Sequence, residues 1–249
     1  MEDWRNEVAP NMIKFKDDKI NYSGDAYFTA DGFFPGYYKQ KNKLLFIGRE
    51  PRERGGDDYI ANFINHYKKN NDHNQFAFTR HILYIVQGVK SGGKIKFDDL
   101  EYPNDYAKKM VEKNDYGYAM MNISKYSNDS ETGAKADVEL MNKFLEHSNF
   151  KKRNYFKEEL AILQPDIIIT ANLWDGKIGD DYLELFFGKL EKRKNIEDKA
   201  ILYEMELNNQ KIKLIDMYHF SSRVGTDKDY YYDPIMKLIF GKLPLSKNK

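Results

Sequence analysis

The sequence predicts a three-layer α/β/α sandwich built on a central, mostly parallel sheet. Two observations carry this. Short apolar runs bounded by turn residues alternate with longer segments of helical periodicity, the pattern of strand–helix–strand units. The best of those runs, Ile167-Ile168-Ile169, is apolar without alternation, as strands covered on both faces are. At 249 residues, with 41% hydrophobic and 32% charged residues, the chain fits one such domain, 1–249.

The elements follow in order. Lys43-Leu44-Leu45-Phe46-Ile47-Gly48 reads as a buried strand ending at a turn. Helices are expected over 57–69, where Asp57-Asp58 offers a cap, and over 78–89. Residues 91–115 show no clear period and read as an insertion on the core. A second strand is expected over 116–123 and a helix over 135–147. Another helix, 155–163, leads to the clearest strand, 165–171, which opens at Pro165 and is rich in β-branched residues. A helix over 182–190 precedes two strands, 201–207 and 211–217, joined at Asn208-Asn209 as a hairpin. The last helix, 231–240, has Pro234 in its first turn. Residues 246–249 read as a frayed tail.

Composition narrows the chemistry. The chain has no cysteine, which removes disulfides, thiolate nucleophiles and cysteine-held metal centres. The net charge is +1, so a polyanion would have to be met by a local patch. No apolar run reaches membrane-spanning length, and the first residues lack a signal-peptide core. A soluble, cytoplasmic monomer without cofactor is the expectation.

In open α/β sheets, ligands bind beyond the carboxyl ends of the strands. Here three strands end in Glu50, Asn122 and His219 with Ser221. A carboxylate, an amide and an imidazole would converge at one sheet edge. Each also has an ordinary reading: Glu50 as a surface partner of Arg49, Arg52 or Arg54, Asn122 as a turn residue, and His219 as a core histidine bonded to a carbonyl.

Gly48-Arg49-Glu50-Pro51 resembles the first motif of the uracil-DNA glycosylase superfamily. Met121-Asn122-Ile123-Ser124-Lys125 is similar to that family's base-reading strand. Leu163-Gln164-Pro165-Asp166-Ile167-Ile168-Ile169 is similar to its central strand, and His219-Phe220-Ser221-Ser222-Arg223 resembles its His-Pro-Ser motif. The resemblance spans about Leu44 to Val224. It implies a uracil-DNA-glycosylase-like fold, DNA as partner, and a monofunctional hydrolase of N-glycosidic bonds. Glu50 would stabilise the sugar cation and orient water, and His219 would stabilise the departing base. Gly48 would let the backbone approach the substrate, Asn122 would read the flipped base, and Phe78 (or Phe76) would stack on it. Lys125, Ser221, Ser222 and Arg223 would meet DNA. Phe220 departs from the family's Pro, Arg223 stands where several members have an apolar wedge, and Ala171-Asn172 replaces a Gly-rich turn. Related branches often hold an iron–sulfur cluster, which this cysteine-free chain does not.

Strict uracil enzymes place an aromatic residue after the first motif's Pro, blocking substituents at C5. Here Arg52 stands there. It suits a decorated pyrimidine, such as hydroxymethylated or glucosylated cytosine of phage DNA, and hence antiphage defence. Ordinary uracil in base-excision repair is the alternative, with Arg52 on phosphate. Two rivals come from other classes: a catalytically silent nucleic-acid-binding module on this fold, and a metal-dependent nuclease using Asp57, Asp166 and Asp216 with His66, His73 and His81. The histidines match no compact ligand spacing. Lys39-Gln40-Lys41-Asn42-Lys43, Lys151-Lys152-Arg153 and Lys192-Arg193-Lys194 read as solvated basic faces.

Overall fold

The computed structural model describes residue 3 and residues 28–53, 56–69, 74–115, 117–128, 138–150, 152–173 and 182–241. Arg54, His73, Tyr116, Lys151, the start of the helix expected over 135–147 and the tail at 246–249 lie outside them.

Seven strands form one mixed sheet: β1 (Gly32–Phe33), β2 (Leu44–Gly48), β3 (Ala119–Asn122), β4 (Ile167–Ala171), β5 (Glu191–Ile196), β6 (Ala200–Leu207) and β7 (Gln210–Met217), in spatial order β1-β3-β2-β4-β7-β6-β5. The centre, β3-β2-β4-β7, is parallel. Its edges are antiparallel, β1 against β3 and β5-β6 against β7. The hairpin turns at Asn208-Asn209, both with positive φ (51° and 62°), as a tight turn matched to strand twist requires.

The helices are α1 (Tyr59–Lys68), α2 (Ala77–Lys90), α3 (Pro103–Lys113), α4 (Val138–Phe150), α5 (Tyr155–Leu163), α6 (Tyr182–Phe187) and α7 (Asp233–Phe240). Asp58 caps α1 by accepting from Ala61 N, and Asn154 caps α5 by accepting from Lys157 N. Alternate strand residues serve opposite layers. Leu44, Phe46, Ile167 and Ile169 pack with α1, α2, α3 and α7, whereas Leu45, Ile47 and Ile168 pack with α5 and α6.

Three expectations need correction. Residues 91–115 are not irregular: they hold α3, opened by Pro103, whose Tyr106, Ala107, Met110 and Val111 are buried in the core. The helix expected over 182–190 stops at Phe187, and the polar run Glu191–Ile196 is an exposed edge strand. The last helix is preceded by a π-helical turn over Asp227–Tyr232, capped by Thr226. Among the described residues no helix is long and apolar enough to cross a membrane.

Candidate active site at the carboxyl edge

The parallel centre ends in an open cavity of about 610 Å³. Gly48, Arg49, Glu50, Arg52, Tyr59, Phe78, Met120, Asn122, His219, Ser221 and Ser222 line it. The three strand-end residues read from the sequence therefore face one space.

The ladder between β2 and β3 continues past both strands and holds the first motif. Ile123 N donates to Gly48 O (3.0 Å), Ser124 N to Arg49 O (2.9 Å) and Asn128 N to Pro51 O (2.8 Å). The Asn128 side chain donates to Glu50 Oε1 at 3.2 Å. Arg49 reaches across to the end of β4. Its Nε donates to Asn172 O (2.7 Å) and its Nη2 to Asn172 Oδ1 (3.3 Å). Asn172 has φ 47°, a conformation that glycine adopts freely and asparagine tolerates. Gly48 lies opposite Asn122 in register, and a Cβ there would stand 2.6 Å from Asn122 Oδ1. The missing side chain at 48 is the seat of the Asn122 amide.

His219 follows β7 on a turn closed by Ser222 N donating to His219 O at 2.8 Å. The Tyr231 hydroxyl donates to Ser222 O at 2.6 Å, fastening the turn to the π-helical segment. Burial, assisted by the nearby Arg49 cation, pushes the His219 pKa down to about 4. The ring is therefore neutral at pH 7. Ser221 N donates to its Nδ1 at 3.2 Å, so Nδ1 carries a lone pair and Nε2 carries the proton. Phe220 is fully buried, its ring centroid 5.7 Å from both Phe46 and Phe78. Beneath it His81 bridges the Phe220 carbonyl (Nδ1, 2.7 Å) and Asp227 (Nε2, 2.8 Å).

Phe78, in the first turn of α2, lines the cavity with its ring centroid 5.7 Å from that of His219. Phe76 does not line it. Phe76 is 57% exposed and borders a side chamber of about 190 Å³ with Asn62, Phe63, His66 and Thr79. Tyr59 and Phe78 form walls of both spaces. Ser221 and Ser222 sit at the cavity rim, and Arg223 is exposed on the same loop.

Lys125 is a correction. It is 1% exposed, and its ammonium lies 2.7 Å from Asp31 and 2.5 Å from Glu159, so it is not a surface contact for DNA. The nuclease set is also dispersed. Asp166 accepts from Lys43 N at the amino end of β4, whereas Asp216 accepts from Thr170 Oγ1 within the sheet. Among the described residues no three His, Asp or Glu side chains come together to hold a metal ion. Sequence reasoning missed Asn128, Asp31, Glu159, Tyr59 and Tyr231. Only Asn172 had a signal, as the residue standing where a glycine turn was expected.

Comparison with known protein families, with characterised proteins and with solved structures finds no match to this chain.

Proposed function

We propose that this protein is a monofunctional DNA glycosylase that flips out a modified pyrimidine and hydrolyses its N-glycosidic bond. The observation that carries the reading is the convergence of Glu50, Asn122, Phe78 and a neutral His219 on one cavity. The parallel order β3-β2-β4-β7 supports it by placing all three motif ends at one edge.

The chemistry follows from the groups present. The base enters against the Phe78 ring, and the Asn122 amide, with one donor and one acceptor face, pairs with its Watson–Crick edge. As the C1′–N1 bond lengthens, the sugar becomes cationic and the base anionic. Glu50 faces the cation and takes a proton from the attacking water, whose oxygen bonds to C1′. His219 Nε2–H donates to the base oxygen on which charge collects. A neutral donor serves here, because it stabilises the anion without surrendering its proton. The proton that Glu50 took from water passes by way of solvent to the departed base anion, so the products are a free base and an abasic site and the carboxylate is regenerated.

Arg52 favours a decorated base over plain uracil. Its Nη2 is enclosed at the cavity with no hydrogen-bond partner among the described residues. A hydroxylated C5 substituent would supply acceptors for it, and the side chamber beyond Tyr59 and Phe78 gives a larger substituent room.

The test is incubation in EDTA with DNAs carrying uracil, hydroxymethylcytosine, glucosylated cytosine or unmodified bases. Released bases and abasic sites are measured by mass spectrometry. Release from decorated cytosine alone is expected. Release from uracil alone returns the substrate to uracil, and no release from any DNA rejects the enzyme reading in favour of a binding module. Arg52→Tyr should reduce activity on the decorated base at least tenfold, the equivalent of about one hydrogen bond to a charged group, and spare any activity on uracil. Uniform loss with a shallower salt dependence would assign Arg52 to phosphate.

A further inference from the structure

Beneath Asn122 lies a buried ionic cluster that the mechanism above does not use. Asp31 is 2% exposed, Lys125 1% and Glu159 0%. They come from three distant parts of the chain: the approach to β1, the loop after β3, and α5. The Lys125 ammonium donates to both Asp31 oxygens, at 2.8 and 2.7 Å, and lies 2.5 Å from Glu159 Oε2. Two acids thus face one cation. Burial, reinforced by neighbouring Asp31, pushes the Glu159 carboxyl well above the usual carboxylate range, so it holds its proton. Burial also works against the Lys125 charge, but the neighbouring Asp31 carboxylate outweighs it and the ammonium persists.

The cluster has a second set of contacts. Asp31 Oδ2 accepts the backbone N–H of Asn122 at 2.7 Å, and Lys125 Nζ donates to the backbone carbonyl of Asn122 at 3.1 Å. The edge strand β1 pairs with β3 only at Met120 and Ala119, so it does not reach Asn122. The two charged side chains stand in for the missing strand and grip both main-chain groups of the last residue of β3. With the side-chain amide packed over Gly48, Asn122 is fixed from three directions.

We propose that Asp31, Lys125 and, through Lys125, Glu159 are positioning residues for Asn122: they hold its backbone on the side that β1 leaves open, so that its amide meets the base edge in one orientation. The link to base reading rests on the glycosylase reading; the grip on the backbone does not. Orienting a reading group matters because small misplacements of a positioned group cost large factors in rate.

The experiment has two arms. In the first, kcat/KM for base release is measured for Lys125→Met, Asn122→Ala and the double variant. A positioning role predicts at least a tenfold loss for Lys125→Met and no further loss when it is added to Asn122→Ala. Losses that multiply would mean that the cluster only supports the fold, and would overturn the proposal. The isosteric Asp31→Asn replaces Lys125→Met in the same cycle if that variant does not fold. The second arm needs no activity. Solvent exchange of the Asn122 backbone amide is followed by NMR, its peak assigned by loss in Asn122→Ala. Asp31→Asn should speed that exchange at least tenfold while amides within β2 keep their protection, and Glu159→Gln, which preserves the neutral acid's shape and hydrogen bonding, should leave it protected. Unchanged exchange in Asp31→Asn would overturn the proposal. If wild-type protein releases no base but exchange responds as stated, the glycosylase reading fails and the grip on Asn122 stands.

Discussion

The two walls of the cavity are built by opposite means. On the β3 side, Asn122 is held by buried charge: an ammonium, a carboxylate and a protonated acid closed off from water. On the β7 side, His219 is held by backbone hydrogen bonds and aromatic packing, and its surroundings keep it uncharged. Charge is placed where nothing reacts, to fix a main chain. It is withheld from the imidazole that faces the cavity, where the proposed reaction calls for a neutral donor. Low dielectric strengthens both arrangements, because it tightens an ion cluster and penalises an isolated cation.

The largest expected effects come from breaking each wall by its own principle. Lys125→Met leaves Asp31 without its cation and should cost about 3–5 kcal/mol of folding stability, read as a lower midpoint in urea. On the other wall the penalty should fall on rate instead. His219→Ala removes one donor from the developing anion and should raise the barrier by about 2.7–4 kcal/mol, roughly 10²–10³ in kcat, with the urea midpoint much less affected. Glu50→Gln should depress base release strongly as well, because the amide keeps the Asn128 contact and loses the charge that faces the sugar cation. Wild-type turnover in both variants would remove the proposed roles.

A subtler break is Gly48→Ala. The added methyl would meet Asn122 Oδ1 at 2.6 Å, so the amide must swing away although the cluster beneath still grips its backbone. Overpacking of this kind costs about 1–3 kcal/mol. Base release should fall about tenfold or more, and the loss should show in discrimination between bases. A variant with wild-type discrimination would show that the Asn122 side chain does not read the base.

What was legible in the sequence divides along the same line. The strands β2, β4 and β6–β7 were readable because burial on both faces demands apolar, β-branched runs. Strand β5 was not, because an exposed edge is free to carry Glu191, Lys192, Arg193 and Lys194, which also discourage edge pairing. Helix α3 was hidden because its buried Tyr106, Ala107, Met110 and Val111 are interleaved with charged residues. Glu50, Asn122 and His219 were readable from their places at strand ends, whereas Tyr59, a wall of the same cavity, was not. Their supports were not: Asp31 and Glu159 have no local pattern, and Lys125 belongs to a residue type that is almost always exposed unless paired. Pairing of that kind exists only in the folded chain.

The β7 wall also makes a prediction in pH. Unfolded, His219 titrates near 6.5; folded, its pKa is about 4. Between those values the unfolded chain binds a proton that the folded chain refuses. This group therefore makes stability fall as pH drops through that window, by up to about 1.4 kcal/mol per pH unit, while above it the contribution is constant. Urea midpoints measured from pH 7 to pH 4 should show this slope in wild-type protein and a shallower one in His219→Ala. Equal slopes would mean that the imidazole is not shielded.

The smallest effect separates the two causes of that neutrality. Burial is the larger, and the Arg49 cation adds to it. Arg49 is tied to Asn172 by two hydrogen bonds, so it stands at a fixed place beside the ring instead of moving with solvent. Arg49→Gln removes the positive charge without opening the pocket to water. The His219 midpoint, followed by NMR of its ring protons, should then rise, because a second cation no longer meets a first. It should stay below the ordinary value near 6.5, because burial still disfavours the charged ring. A midpoint that does not move would show that Arg49 acts only as a strut for the turn at Asn172. A midpoint that climbs fully to the ordinary value would make Arg49, and not burial, the reason His219 is neutral. In that case the β7 wall, like the β3 wall, would be governed by a charge.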